Sequence, residues 1–184
     1  MTPGVSRPAW TAFAALALTV FAAGCSSDKP EPACPRGVIP MDASSITRFR
    51  DGPGRDLTDV LVTGNIQNIL VDQCKYDKKS VDVSNFQIAI TADRGPADRS
   101  KAADFEYWVA IVDPQRKVLT RETFKVHFDF SELNHVGTVV ADLEPRIPLP
   151  DIMKAPDYQI VVGFQLTPEE LAWNRKQRAS TNAQ

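Results

Sequence analysis

The chain has 184 residues with 21 basic and 23 acidic side chains, a formal net charge of −2. That balance lacks the basic field by which proteins displace counterions from nucleic acid, so no nucleic-acid partner is expected. An apolar fraction of 43% is that of a globular protein, and 14 prolines with 9 glycines argue for many turns rather than long helices.

Residues 12–23 are apolar apart from Thr19, and the segment before them carries one charge, Arg7. A run of this length suits a secretory signal and falls short of the ~20 residues a helix needs to cross a bilayer. The polar stretch Ser26-Ser27-Asp28-Lys29 follows at once. Ala22-Ala23-Gly24-Cys25 closes the run, offering small residues that fit a peptidase cleft and a thiol that can accept a lipid. The arrangement resembles the lipobox of bacterial lipoproteins, with Ala22 where leucine is usual. The resemblance implies that residues 1–24 are a lipoprotein signal peptide and that Cys25 receives diacylglycerol and an acyl chain on its new amine. The membrane is then a partner through lipid, and two or more chains hold stably where one holds marginally. Enterobacterial lipoproteins kept in the inner membrane tend to carry Asp after the cysteine. Ser26 therefore implies the outer membrane, facing the periplasm, with the inner membrane and the cell surface as alternatives. A plain secretory signal with an incidental cysteine is the other reading.

Without residues 1–24 the chain keeps 160 residues with 20 basic and 23 acidic side chains, a single domain in size. Cys34 and Cys74 remain after lipidation of Cys25. Export puts them where pairs are normally oxidised, so a structural disulfide is expected over a redox or two-ligand metal pair. Closing a loop of ~40 residues is worth about 4 kcal/mol by chain entropy. Residues 25–50 read as a tether. Ser, Asp, Lys, Glu and several prolines run to Pro40 without periodicity, and Cys25 to Cys34 reaches ~30 Å at full stretch.

Residues 51–167 carry period-2 patterning, the mark of half-buried strands. Phe124, Val126, Phe128 and Phe130 alternate with Lys125, His127 and Asp129, and Tyr158, Ile160, Val162, Phe164 and Leu166 alternate with Gln159, Val161, Gly163 and Gln165. Phe105, Tyr107, Val109 and Ile111 form a third row with Trp108 on the opposite side. Between 81 and 92 the phase shifts at Val83 and Phe86, which predicts a bulge. Runs at 57–62, 66–74 and 136–143 are shorter or mixed. About seven strands separated by Pro, Gly and Asp turns predict a mainly β chain folded as an antiparallel, immunoglobulin-like β-sandwich. Residues 168–184 predict a C-terminal helix and tail. Thr167 caps, Pro168 opens and Glu170 completes a capping box, with Arg175, Lys176 and Arg178 toward the negative end and fraying expected from Ala179.

No residue pattern points to a cofactor. Gly52-Pro53-Gly54-Arg55-Asp56-Leu57 matches one calcium β-roll repeat, with Asp51 and Asp59 nearby, but such rolls need stacked copies and a turn explains the glycines equally well. His127 lies on the polar side of its strand, and His135 follows Glu132; neither has zinc-site spacing. Ser26-x-x-Lys29 lies in the tether, and there is no nucleophile elbow. An enzyme is therefore not the expectation. Residues 93–101, DRGPADRSK, form the longest insertion between strands. Their Arg94, Arg99 and Lys101, with Trp173 and Arg175 of the helix, are the candidates for an interaction surface, although Trp173 also suits packing on the sandwich edge.

The stretches FEYWVAIVDPQRKVL, RIPLP and IVVGFQLTPEELAWNR resemble a group of proteobacterial lipoproteins with no activity attached to it, and the architecture is similar to immunoglobulin and fibronectin type III sandwiches. The resemblance implies a location and little else; the anchor, the tether and the lack of catalytic constellations make an envelope protein the expected partner. A binding or scaffold module is the resulting expectation, with an envelope hydrolase or small-ligand-binding lipoprotein as the alternative.

Overall fold

The computed structural model describes residues 31–181; the apolar run and Cys25 lie outside them. In chain order the strands are β1 (Arg36–Val38), β2 (Ser45–Phe49), β3 (Val60–Val71), β4 (Cys74–Asp77), β5 (Ser80–Val83), β6 (Phe86–Arg94), β7 (Ala102–Val112), β8 (Val118–Asp129), β9 (Val136–Leu143), β10 (Arg146–Pro148) and β11 (Gln159–Phe164), followed by one helix, α1 (Pro168–Thr181). They form two four-stranded sheets, ordered β1-β11-β7-β8 and β2-β3-β6-β9, and a small sheet β10-β5-β4. Every pairing is antiparallel except β1 on β11.

The alternation read in the sequence becomes the two inner faces of a β-sandwich. Phe105, Tyr107, Phe128, Ile160 and Phe164 face inward from one sheet, and Ile46, Val62, Ile66, Ile88 and Ile90 from the other. Phe105 meets Phe128 and Phe164 edge-on, with ring centroids 5.9 and 5.6 Å apart. Such pairs add about 1 kcal/mol each beyond their area burial. The small sheet closes one end of the core with Val81, Val83 and Ile147, all fully buried.

Several boundaries move. The compact unit starts at Glu31 rather than at 51. Within the expected tether, β1 pairs with β11, and β2 lines the edge of β3 while burying Ile46. These strands escape periodicity because one has three residues and the other lies between polar neighbours. The phase shift near Val83 is not a bulge. It is a break between β5 and β6, which belong to different sheets, so each keeps its own phase. Residues 60–62 and 66–71 of the two neighbouring runs instead join in β3, whose bulge falls between Ile66 and Asn68.

The helix begins as read. The Glu170 amide donates to Thr167 Oγ1 at 3.2 Å, and the Thr167 amide donates to Glu170 Oε2 at 2.7 Å. It runs to Thr181, beyond the fraying point expected at Ala179, and Trp173 packs edge-on against Phe49 with centroids 4.8 Å apart.

Candidate functional site

The expected disulfide is present. Cys34 and Cys74 are bonded across a sequence separation of 40, with Cα atoms 5.8 Å apart. The Tyr76 hydroxyl donates to the Ala33 carbonyl at 2.8 Å, so β4 holds the arriving chain at two points. Burial, and then the charge of Glu31, push the Tyr76 hydroxyl above its ordinary pKa. Cys25 lies outside the described residues.

Residues 93–101 are exposed at Asp93, Pro96, Arg99, Ser100 and Lys101 but turn Arg94 and Asp98 inward, and they are not the longest insertion; residues 50–59 between β2 and β3 are longer. Gly95 lies so close to β3 that a Cβ would stand 2.1 Å from the Val60 carbonyl oxygen. Arg94 is 11% exposed and donates through Nε to Asp98 Oδ2 at 2.8 Å. The amides of Ser100 and Lys101 donate to the same carboxylate at 3.0 and 2.9 Å, which holds Lys101 in the left-handed region at φ 58°. Burial would raise the Asp98 pKa, but the bonds from Ser100, Arg94 and the two amides outweigh it and bring it to about 2. Arg94 is therefore a structural residue and leaves the candidate surface, because its guanidinium is spent on Asp98. Arg99 is exposed, and Lys101 is exposed beside Glu132, its ion-pair partner.

At α1 the candidates divide as well. Asn174 donates to the carbonyls of Asp42 and Ser45 at 3.0 and 2.7 Å. Arg175 reaches Asp42 at 3.0 Å and Arg178 pairs with the same carboxylate, and the hydrogen bond from Arg175 is the main cause holding the Asp42 pKa down. Trp173 and Arg175 thus fasten the helix to the sandwich. Their packing opens a groove that the sequence did not announce, of about 510 Å³, between α1 and residues 47–55. Phe49 and Trp173 form its apolar wall. Arg55 stacks 5.3 Å above the Phe49 ring, and Lys176 lines the helix side. Arg48 bridges to Glu170 at 3.5 Å and separates this groove from a second one lined by Asp104, Glu106 and Lys125. The α1 groove joins residues 47–55 to a helix far along the chain, so no local motif marks it; the only sequence signal was Trp173.

The glycine-rich turn is likewise structural. Asp56 accepts from the Thr58 amide at 2.7 Å, and Asp59, 3% exposed, accepts from Arg50 at 2.6 Å. Gly52 supplies the turn's φ of 125°. His127 sits on the exposed face of β8, as expected from its register, with Nδ1 2.8 Å from Asp104 and Nε2 3.2 Å from Asp129. Those two carboxylates, Asp104 first, raise its pKa. Among the described residues no group of three or more His, Cys, Asp or Glu is placed to hold a metal ion, and none of the helices is long and apolar enough to cross a membrane. Comparison with models of protein families, with curated proteins and with solved structures returns no match to this chain.

Proposed function

We propose that the chain is a lipid-anchored envelope lipoprotein whose sandwich faces the periplasm from the outer membrane and serves as a binding or scaffold module. The observation that carries the reading is Cys25, directly after Ala22-Ala23-Gly24 at the close of an apolar run too short to span a bilayer. A disulfide beginning nine residues later supports it, since such bonds persist in oxidising compartments. A folded unit that begins soon after the cysteine is what an anchor would carry.

The binding role draws on the groove beside α1. Aromatic and cationic side chains on a rigid scaffold are common at recognition surfaces. An envelope hydrolase or small-ligand-binding lipoprotein is the alternative, with its site among the loops near Arg94 and residues 129–135, which do not line the grooves beside α1. The two four-stranded sheets make a β-sandwich, but the successive long strands β3 and β6 pair within one sheet, whereas the second and third strands of an immunoglobulin domain lie in opposite sheets.

Crosslinking in intact cells tests the module reading. A photoreactive residue placed at Lys176 is expected to capture one envelope protein reproducibly. Recovery of the uncrosslinked chain alone, from that site and from Arg55, would contradict it.

A further inference from the structure

The N-terminal arm meets the sandwich at one end. Cys34 is tied to Cys74 at the start of β4. Two residues on, the Arg36 amide donates to the Tyr158 carbonyl at 3.1 Å and β1 begins its pairing at Gln159. The β4–β5 hairpin therefore stands beside the point of entry. It carries Lys75, Lys78 and Lys79, all exposed. The hairpin's acids, Asp77 and Asp82, both lie near Arg146, at 3.9 and 3.5 Å. The three lysines have no carboxylate in ion-pair reach among the described residues. Beside the hairpin, where the Leu149 amide donates to the Lys79 carbonyl at 2.8 Å, the 3-10 helix Ile152–Asp157 packs against β5 and adds Lys154, also unpaired. Next to it Met153 is 59% exposed. By contrast, Lys101 and Lys125 are paired with Glu132 and Glu106. Among the described lysines without a carboxylate partner, Lys75, Lys78, Lys79 and Lys154 thus gather where the arm enters, whereas Lys117 lies on the β7–β8 turn and Lys176 on α1.

We propose that this end is the membrane-facing surface of the protein, and that Lys75, Lys78, Lys79 and Lys154 bind phosphate groups of anionic lipid headgroups. The inference rests on the lipid at Cys25. With that lipid in the bilayer, the span from Cys25 to Cys34 is at most ~30 Å, and a tether of that length keeps the headgroups at high effective concentration beside the hairpin. Ammonium groups on long stems are suited to phosphate, and weak individual contacts suffice under such tethering. The unpaired lysines then give the tethered sandwich a preferred orientation, with the α1 groove's Arg55 and Phe49 left open to a partner.

Lysine acylation of the full lipidated protein tests this, on vesicles of phosphatidylcholine alone and of phosphatidylcholine with phosphatidylglycerol. Each site is read by mass spectrometry after flotation. Lys75, Lys78, Lys79 and Lys154 are expected to react about fivefold more slowly on the anionic vesicles, with Lys125 and Lys176 unchanged. High salt should restore the rates, because screening shortens the reach of the surface field. Flotation on both compositions with equal reactivity at every lysine would overturn the surface and leave the anchor standing. Failure to float on either would overturn the anchor and the surface with it. The triple variant Lys75→Glu, Lys78→Glu, Lys79→Glu, all surface positions, should still float but lose the protection at Lys154; protection retained there would overturn the role of the hairpin.

Discussion

Arg94 Nε lies 2.8 Å from Asp98 Oδ2, with both side chains about nine-tenths buried, across the turn that leaves β6. The pair fixes the course of residues 95–101 above the end of the sandwich. Removing one member strands the other charge in a poorly hydrated site, which costs about 3 kcal/mol. Asp98→Ala is expected to lower stability by that amount in urea unfolding. Arg99→Ala, at an exposed site five residues beyond the β6 end, should change it by less than about 0.5 kcal/mol.

The same carboxylate predicts acid sensitivity. Its pKa of about 2 in the fold lies below the usual 3.8. The folded state therefore binds this proton less readily than the unfolded chain, and the stabilisation is complete above about pH 4 and lost as pH falls toward 2. The shift corresponds to about 2 kcal/mol. Urea midpoints measured through that window should fall more steeply for the wild type than for Asp98→Asn.

His127 works in the opposite direction. Asp104, and then Asp129, raise its pKa above 6.5, so its protonated form is favoured in the fold. This contribution is fully present below about pH 6.5 and fades as pH rises through the raised value. Nuclear magnetic resonance titration of the ring should give a midpoint above 6.5, which Asp104→Asn lowers.

Trp173 holds the helix. Its ring meets Phe49 edge-on while Asn174 donates to the carbonyls of Asp42, before β2, and Ser45, at its start. Trp173→Ala should cost about 2 kcal/mol, less than truncation at a fully buried site, and expose α1 to protease. Limited proteolysis should then release the C-terminal segment while the sandwich stays intact.

Loss of the disulfide acts on the unfolded chain. Cys34→Ser with Cys74→Ser opens a loop of 40 residues, for an expected cost of about 4 kcal/mol. Thermal unfolding of the wild type with and without reductant checks the same quantity.

The sandwich was legible where strands were long and one-faced. In β8 aromatic and β-branched residues alternate against polar ones, in β7 and β11 one face keeps an unbroken row of aromatic and aliphatic residues, and the core follows. β1 was not legible, because its partner β11 lies more than a hundred residues away and pairing over that distance leaves no local pattern. The break at Ser84 and Asn85 looked like a bulge because a change of sheet and an inserted residue shift the phase alike. Of the candidate surface, Arg94 looked solvated because its partner Asp98 sits four positions on in a Gly-Pro segment, which gives no hint that both side chains turn inward. The disulfide needed only a count of cysteines. The α1 groove needed the fold, since Phe49, Arg55 and Trp173 meet only after β2 and α1 are packed.

The anchor at Cys25 is tested most directly by the intact mass of the protein purified from membranes. The account predicts a chain beginning at residue 25 that carries diacylglycerol and an amine-linked acyl chain, both absent from Cys25→Ala. A mature chain of unmodified mass, recovered in the soluble fraction, would contradict it.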